Sequence, residues 1–62
     1  MKIYHKGKEI LSGDDLSMKM VYKNITGVNF KHLISHKYYL KHISDMYFDG
    51  ERLDSKDFKL TN

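Results

Sequence analysis

Cysteine, proline, tryptophan and alanine are all absent from the 62 residues of this chain. Without thiols there is no disulfide, no thiolate metal site, no iron–sulfur ligation and no cysteine nucleophile. Glycine occurs only singly, at Gly7, Gly13, Gly27 and Gly50. No run of exposed amides can therefore wrap a phosphate, and no Gly-Lys-Ser or Gly-Lys-Thr is present. Long apolar runs are missing too. The longest, such as Tyr38-Tyr39-Leu40 and Met46-Tyr47-Phe48, span three residues, where a membrane helix needs roughly 20. The basic start from Met1 to Glu9 leads into no apolar stretch of signal-peptide length. A soluble, cytoplasmic protein without membrane contact is expected.

What is present describes one small domain, residues 1–62. A chain of this length buries only about 60% of the surface that it exposes when unfolded. With no disulfide and no thiolate metal site, a partner surface or a second copy is the remaining support. Branched and aromatic residues (Val, Ile, Thr, Tyr, Phe) number 17, a bias that favours strands. Charge is unevenly distributed. Residues 1–41 carry eight lysines against three acids, whereas residues 42–62 carry Arg52, Lys56 and Lys59 against five acids. The net charge of +3 is ordinary for a small domain and does not select nucleic acid.

Periodicity predicts an α+β fold: a small antiparallel β-meander, one amphipathic helix, and a short C-terminal strand or tail. Lys2 to His5 alternates, Lys6-Gly7 supplies a hairpin turn, and Lys8 to Leu11 resumes with Ile10 as anchor. Ser12-Gly13-Asp14-Asp15 reads as a loop. Leu16, Met18 and Met20 alternate with Ser17 and Lys19, so Leu16 to Tyr22 reads as a strand, with a break at Lys23-Asn24 or Thr26-Gly27. Val28 and Phe30 continue the pattern. The expected core of this half is Ile3, Ile10, Met18, Met20, Val28 and Phe30. From Lys31 to Phe48 there is no glycine, and Leu33, His36, Leu40, Ile43 and Tyr47 share one helical stripe. Asp49-Gly50 provides the stop. Phe58 and Leu60 mark the last strand.

A competing pattern has period five. Leu11, Leu16 and Val21 are five apart, as are Ile25 and Phe30, and Phe48, Leu53 and Phe58, with Asp15, Asn24 and Asn29 just before some of them. This resembles the pentapeptide-repeat β-helix and implies an all-β solenoid as the alternative fold. The chain departs from that family where a small residue belongs two places before each centre. Asp14, Lys23, Val28, Met46, Glu51 and Lys56 stand there instead, and the register is interrupted between residues 30 and 48.

No catalytic residue, cofactor or metal is assigned, and the chain is read as no enzyme. His32 and His36 would lie one turn apart on a helix, but His-Leu-Ile-Ser-His lacks the His-Glu-x-x-His base and no third ligand is signalled. Ser35 and Ser44 each lie near a histidine without the convergent geometry of a triad. The acids from Asp45 to Asp57 give no calcium-loop ladder.

The functional expectation is a non-catalytic protein-binding or self-associating accessory module, a homodimer or an inhibitor or adaptor that covers a partner's surface. Five tyrosines, three phenylalanines and four methionines are types that serve interface cores. Tyr38, Tyr39 and Tyr47 are the interface candidates. The alternative is nucleic-acid binding, with Lys31, Lys37 and Lys41 meeting phosphates. A single arginine, an acidic final third and the absence of any recognition motif count against it.

Overall fold

The computed structural model describes residues 1–27 and 36–62. Strands β1 (Lys2–His5) and β2 (Lys8–Ser12) form the expected hairpin. Its two loop residues, Lys6 and Gly7, have φ of 51° and 81°, the doubly positive turn whose twist matches that of the flanking strands. Helices α1 (Asp15–Thr26) and α2 (His36–Tyr47) follow, then a 3-10 turn (Ser55–Asp57) and strand β3 (Phe58–Thr61). The sheet order is β2-β1-β3, with both pairings antiparallel. The α+β class, the small antiparallel sheet and the C-terminal strand are all present.

Register decides the faces. Ile3 stands opposite Leu11 and Leu60, and His5 opposite Lys8 and Phe58. Residues directly opposite share a face, so Ile3, His5, Phe58 and Leu60 line the inner side. Tyr4 and Lys59 pair on the other. The register slips between Ile3 and Tyr4, whose partners on β2 are Leu11 and Glu9. Ile10 is the extra residue of a β-bulge.

Leu16 to Tyr22 is a helix and not a strand. The Asp14 carboxylate accepts a hydrogen bond from the Ser17 amide at 2.9 Å, an N-cap that satisfies one of the free amides of the first turn. Gly27 closes the helix at φ 75° and donates to the Asn24 carbonyl at 3.2 Å. Between the caps, Met18, Val21, Tyr22 and Ile25 follow the i, i+3, i+4, i+7 pattern, with Met18 and Ile25 buried. Leu16 and Met20, 69% and 57% exposed, turn outward. Met20 is therefore not a core residue, and of the two expected breaks Lys23-Asn24 falls inside the helix while Thr26-Gly27 ends it. Two helices among the described residues replace the single one expected and overturn the all-β solenoid. Val28 and Phe30 lie outside the described residues.

The helix expected within residues 31–48 is seen as α2 over its described part, with Leu33 outside that part. Leu40 and Ile43 are buried, His36 is half-buried, and Tyr47 at the end of the stripe is 75% exposed. Asp49 and Gly50 adopt positive φ as the expected stop. The core joins both helices to the sheet through Ile3, Met18, Ile25, Leu40, Ile43 and Phe58. Among the described residues no helix is long and apolar enough to cross a membrane.

Candidate functional site

The hairpin and the two helices leave a groove between β2, α1 and α2, with a volume of about 770 Å³. Its deepest residues are Ile25 and Ile43, both buried. Ile10, Leu11, Val21, Tyr39, Tyr47 and Phe48 form the walls, while the exposed Lys8, Glu9 and His42 stand at the rim. Each wall has a local cause. The bulge at Ile10 releases β2 from strict pairing, α1 turns Val21 and Ile25 toward the sheet, and α2 presents Tyr39, Ile43 and Tyr47 at helical spacings of four. Leu11 is 44% exposed although it shares a face with fully buried Ile3.

Two of the three tyrosines expected as interface candidates, Tyr39 and Tyr47, therefore meet here, and the third does not. Burial pushes the Tyr39 phenol above its ordinary value, and neighbouring Tyr47 adds to the shift. Tyr38 is 69% exposed and lines neither this groove nor the second one. Sequence reasoning missed the part played by Leu11, Val21 and Phe48. The alternation Ile3, His5 against Leu11 held a signal for Leu11, since it implies a shared face.

The second groove, also about 770 Å³, runs between α2 and residues 50–55 and is more polar, with Lys37, Lys41, Asp45 and Arg52 among its lining. Of the three lysines expected to meet phosphate, Lys41 is ion-paired with Asp45 at 2.9 Å, Lys37 is exposed, and Lys31 lies outside the described residues.

His36 and Ser44 have structural work. His36 donates from Nε2 to the Ile25 carbonyl at 3.0 Å and so ties α2 to the end of α1. His32 lies outside the described residues, and among those described no three His, Asp or Glu side chains gather as metal ligands. Ser44 is buried. Its hydroxyl donates to the Glu51 carbonyl, and its own carbonyl accepts from Gly50 at 2.9 Å, which fixes the exit from α2. The Lys6 ammonium contacts Glu51 at 3.1 Å and is held above its usual value by that hydrogen bond.

His5 was not singled out by the sequence. It is buried, with its ring centroid 4.6 Å from that of Phe58 and 5.1 Å from that of Phe48, and its Nε2 has no hydrogen-bond partner among the described residues.

This arrangement belongs to a known family. The chain matches the family described as Domain of unknown function (DUF7688) over residues 1–59 and is a member of it. No curated protein and no solved structure shows a significant match to it.

Proposed function

We propose that this domain is a non-catalytic protein-binding module of the cytoplasm, which self-associates or acts as an inhibitor or adaptor by covering another protein's surface. The observation that carries the reading is the groove between β2 and α2. Its walls are apolar and aromatic, and Leu11 and Tyr47 expose large side chains beside a floor that is already closed by Ile25 and Ile43. Aromatic anchors around a concave apolar patch with a polar rim are the usual anatomy of a binding surface. Lys41 is engaged with Asp45, which weakens the competing case for a phosphate-binding lysine row.

Site-specific photo-crosslinking in cells tests this. A benzophenone side chain placed at Tyr47 is expected to yield discrete, nuclease-resistant protein adducts. The same probe at Lys59, exposed on the outer sheet face, is expected to yield few. Equal labelling from both positions, or adducts that are only nucleic acid, would overturn the proposal.

A further inference from the structure

We infer that Asp49 is a site of spontaneous covalent modification, conversion to isoaspartate, and that the cap of α2 sets the rate at which it happens. The reaction needs a free carboxyl and the main-chain amide of the next residue. The structure leaves the first open and holds the second closed.

Of the six aspartates, Asp49 alone precedes glycine, so no Cβ on the next residue crowds the approach of its amide nitrogen. Asp49 and Gly50 are both exposed, and open space surrounds the place where a Gly50 Cβ would stand. Other carboxylates are engaged. Asp14 accepts from the Ser17 amide, Asp15 pairs with the α-ammonium of Met1, Asp45 pairs with Lys41, and Asp54 accepts from the Lys56 amide. Asp57 precedes the buried strand residue Phe58. Among the described residues the Asp49 carboxylate has neither a hydrogen bond nor an ion pair.

The amide is clasped. Gly50 donates its N–H to the Ser44 carbonyl at 2.9 Å, while Asp49 and Gly50 hold φ of 52° and 82°, the left-handed pair that ends α2. Two more bonds brace the turn: the Glu51 amide donates to the Phe48 carbonyl at 2.9 Å, and the buried Ser44 hydroxyl donates to the Glu51 carbonyl. A hydrogen-bonded amide keeps its proton and its orientation, so it attacks only when the turn opens. Such local openings cost less than global unfolding.

The chemistry consumes nothing but water. In the open turn the Gly50 nitrogen bonds to Cγ of Asp49, the amide proton and the hydroxyl of the protonated carboxyl leave together as one water, and a five-membered succinimide remains. Water then adds to one of its two carbonyls. Ring opening at Cγ restores aspartate. Ring opening at the main-chain carbonyl leaves the chain running through Cβ and Cγ, one backbone atom longer, with the α-carboxylate as the side group. That extra atom falls inside the turn that the three bonds hold, next to Phe48, whose ring packs on His5 and lines the apolar groove. The modified chain therefore loses the cap of α2 and unfolds at lower urea concentration.

Precise bookkeeping of isoaspartate tests this. The full chain is incubated warm at neutral pH, in buffer and in denaturing urea. Trypsin, cutting after Lys41 and Arg52, then frees residues 42–52, which contain both Asp45 and Asp49. Isoaspartyl methyltransferase labelling with mass spectrometry locates the product. In urea Asp49 is expected to convert while Asp45, followed by methionine, stays unchanged. In buffer the Asp49 rate is expected to fall at least about tenfold. Ser44→Ala, checked for folding by circular dichroism, removes the hydroxyl that holds Glu51. It is expected to speed both isomerisation and hydrogen exchange of the Gly50 amide about threefold or more in buffer, and neither in urea. No isoaspartate at Asp49 in urea overturns the inference, as does an equal rate in buffer and urea or an equal yield at Asp45. A folded Ser44→Ala chain that exchanges Gly50 faster without converting faster, or that changes in neither, overturns the control by the cap. Should that variant not fold, the comparison of buffer with urea on the unsubstituted chain decides alone.

Discussion

Replacing Gly27 by alanine probes the joint on which the two helices meet. Gly27 sits at φ 75°, and a Cβ there would lie 2.6 Å from Cγ and 2.7 Å from Cβ of His36. Two costs follow from one methyl group. Holding a non-glycine residue in the left-handed region costs about 1–2 kcal/mol. Pushing His36 aside also breaks its hydrogen bond to the Ile25 carbonyl, worth about 1 kcal/mol. The total of about 2–3 kcal/mol is large for a domain whose stability, at ~0.05–0.15 kcal/mol per residue, lies between about 3 and 9 kcal/mol. The thermal midpoint is expected to fall by about 10–20 °C. Urea unfolding followed by far-ultraviolet circular dichroism measures the loss. A double-mutant cycle with His36→Ala isolates the hydrogen-bond term, because without the imidazole the left-handed strain and the close contact with Cβ of residue 36 remain and the cost of Gly27→Ala falls by about 1 kcal/mol. An equal cost in both backgrounds, or a loss below about 0.5 kcal/mol, would refute the reasoning.

Ile3 is fully buried on the central strand, so Ile3→Ala is expected to cost about 2–5 kcal/mol in the same assay. His5→Leu removes the buried, unpaired Nε2 at similar volume and is expected to leave stability unchanged or raise it by about 1 kcal/mol, whereas His5→Ala lowers it by about 2 kcal/mol or more. A large loss in His5→Leu would show that the imidazole makes a favourable contact of its own. The Ser17 amide holds the Asp14 carboxyl below the usual carboxylate range. Its folded value lies under its unfolded one, so the stabilisation is complete above about pH 4 and is lost as pH falls through the folded value. Acid titration of stability is therefore expected to be steeper in the wild type than in Asp14→Asn, and identical acid limbs would count against the cap. Tyr39 titrates in the opposite sense. Its raised folded value makes its contribution full below about pH 10 and lost as pH rises through the folded value, which tyrosinate absorbance reports as a late-ionising phenol.

Local chemistry wrote part of this structure directly into the sequence. Lys6-Gly7 between two short alternating runs specifies the hairpin because the turn needs two positive φ angles. Leu40 and Ile43 specify the buried side of α2, Asp49-Gly50 specifies its end, and Phe58 and Leu60 specify the last strand. The missing cysteines settle, with no structure at all, which covalent and thiolate chemistries are closed. Residues Leu16 to Tyr22 mark the limit of such reasoning. Leu16, Met18 and Met20 alternate as a strand would, yet Met18, Val21, Tyr22 and Ile25 also satisfy a helix, and one sequence cannot decide between periods when both are half present. Tertiary structure decided it: Asp14 and Gly27 cap the segment, and Ile3 and Phe58 offer a surface on which the helical set packs while Leu16 and Met20 face outward. The groove has the same origin. Tyr39 and Tyr47 could be picked out as interface candidates by type, but their convergence with Leu11, and the exclusion of Tyr38, depend on how α2 is rotated against the hairpin. His5 shows the principle in its simplest form, since a histidine in an alternating strand is polar by composition and buried only because Phe48 and Phe58, more than forty residues along the chain, close over it. Periodicity and turn chemistry act within a few residues of one another. Which of two admissible faces is buried is a choice made by distant side chains, and only the packed structure contains it.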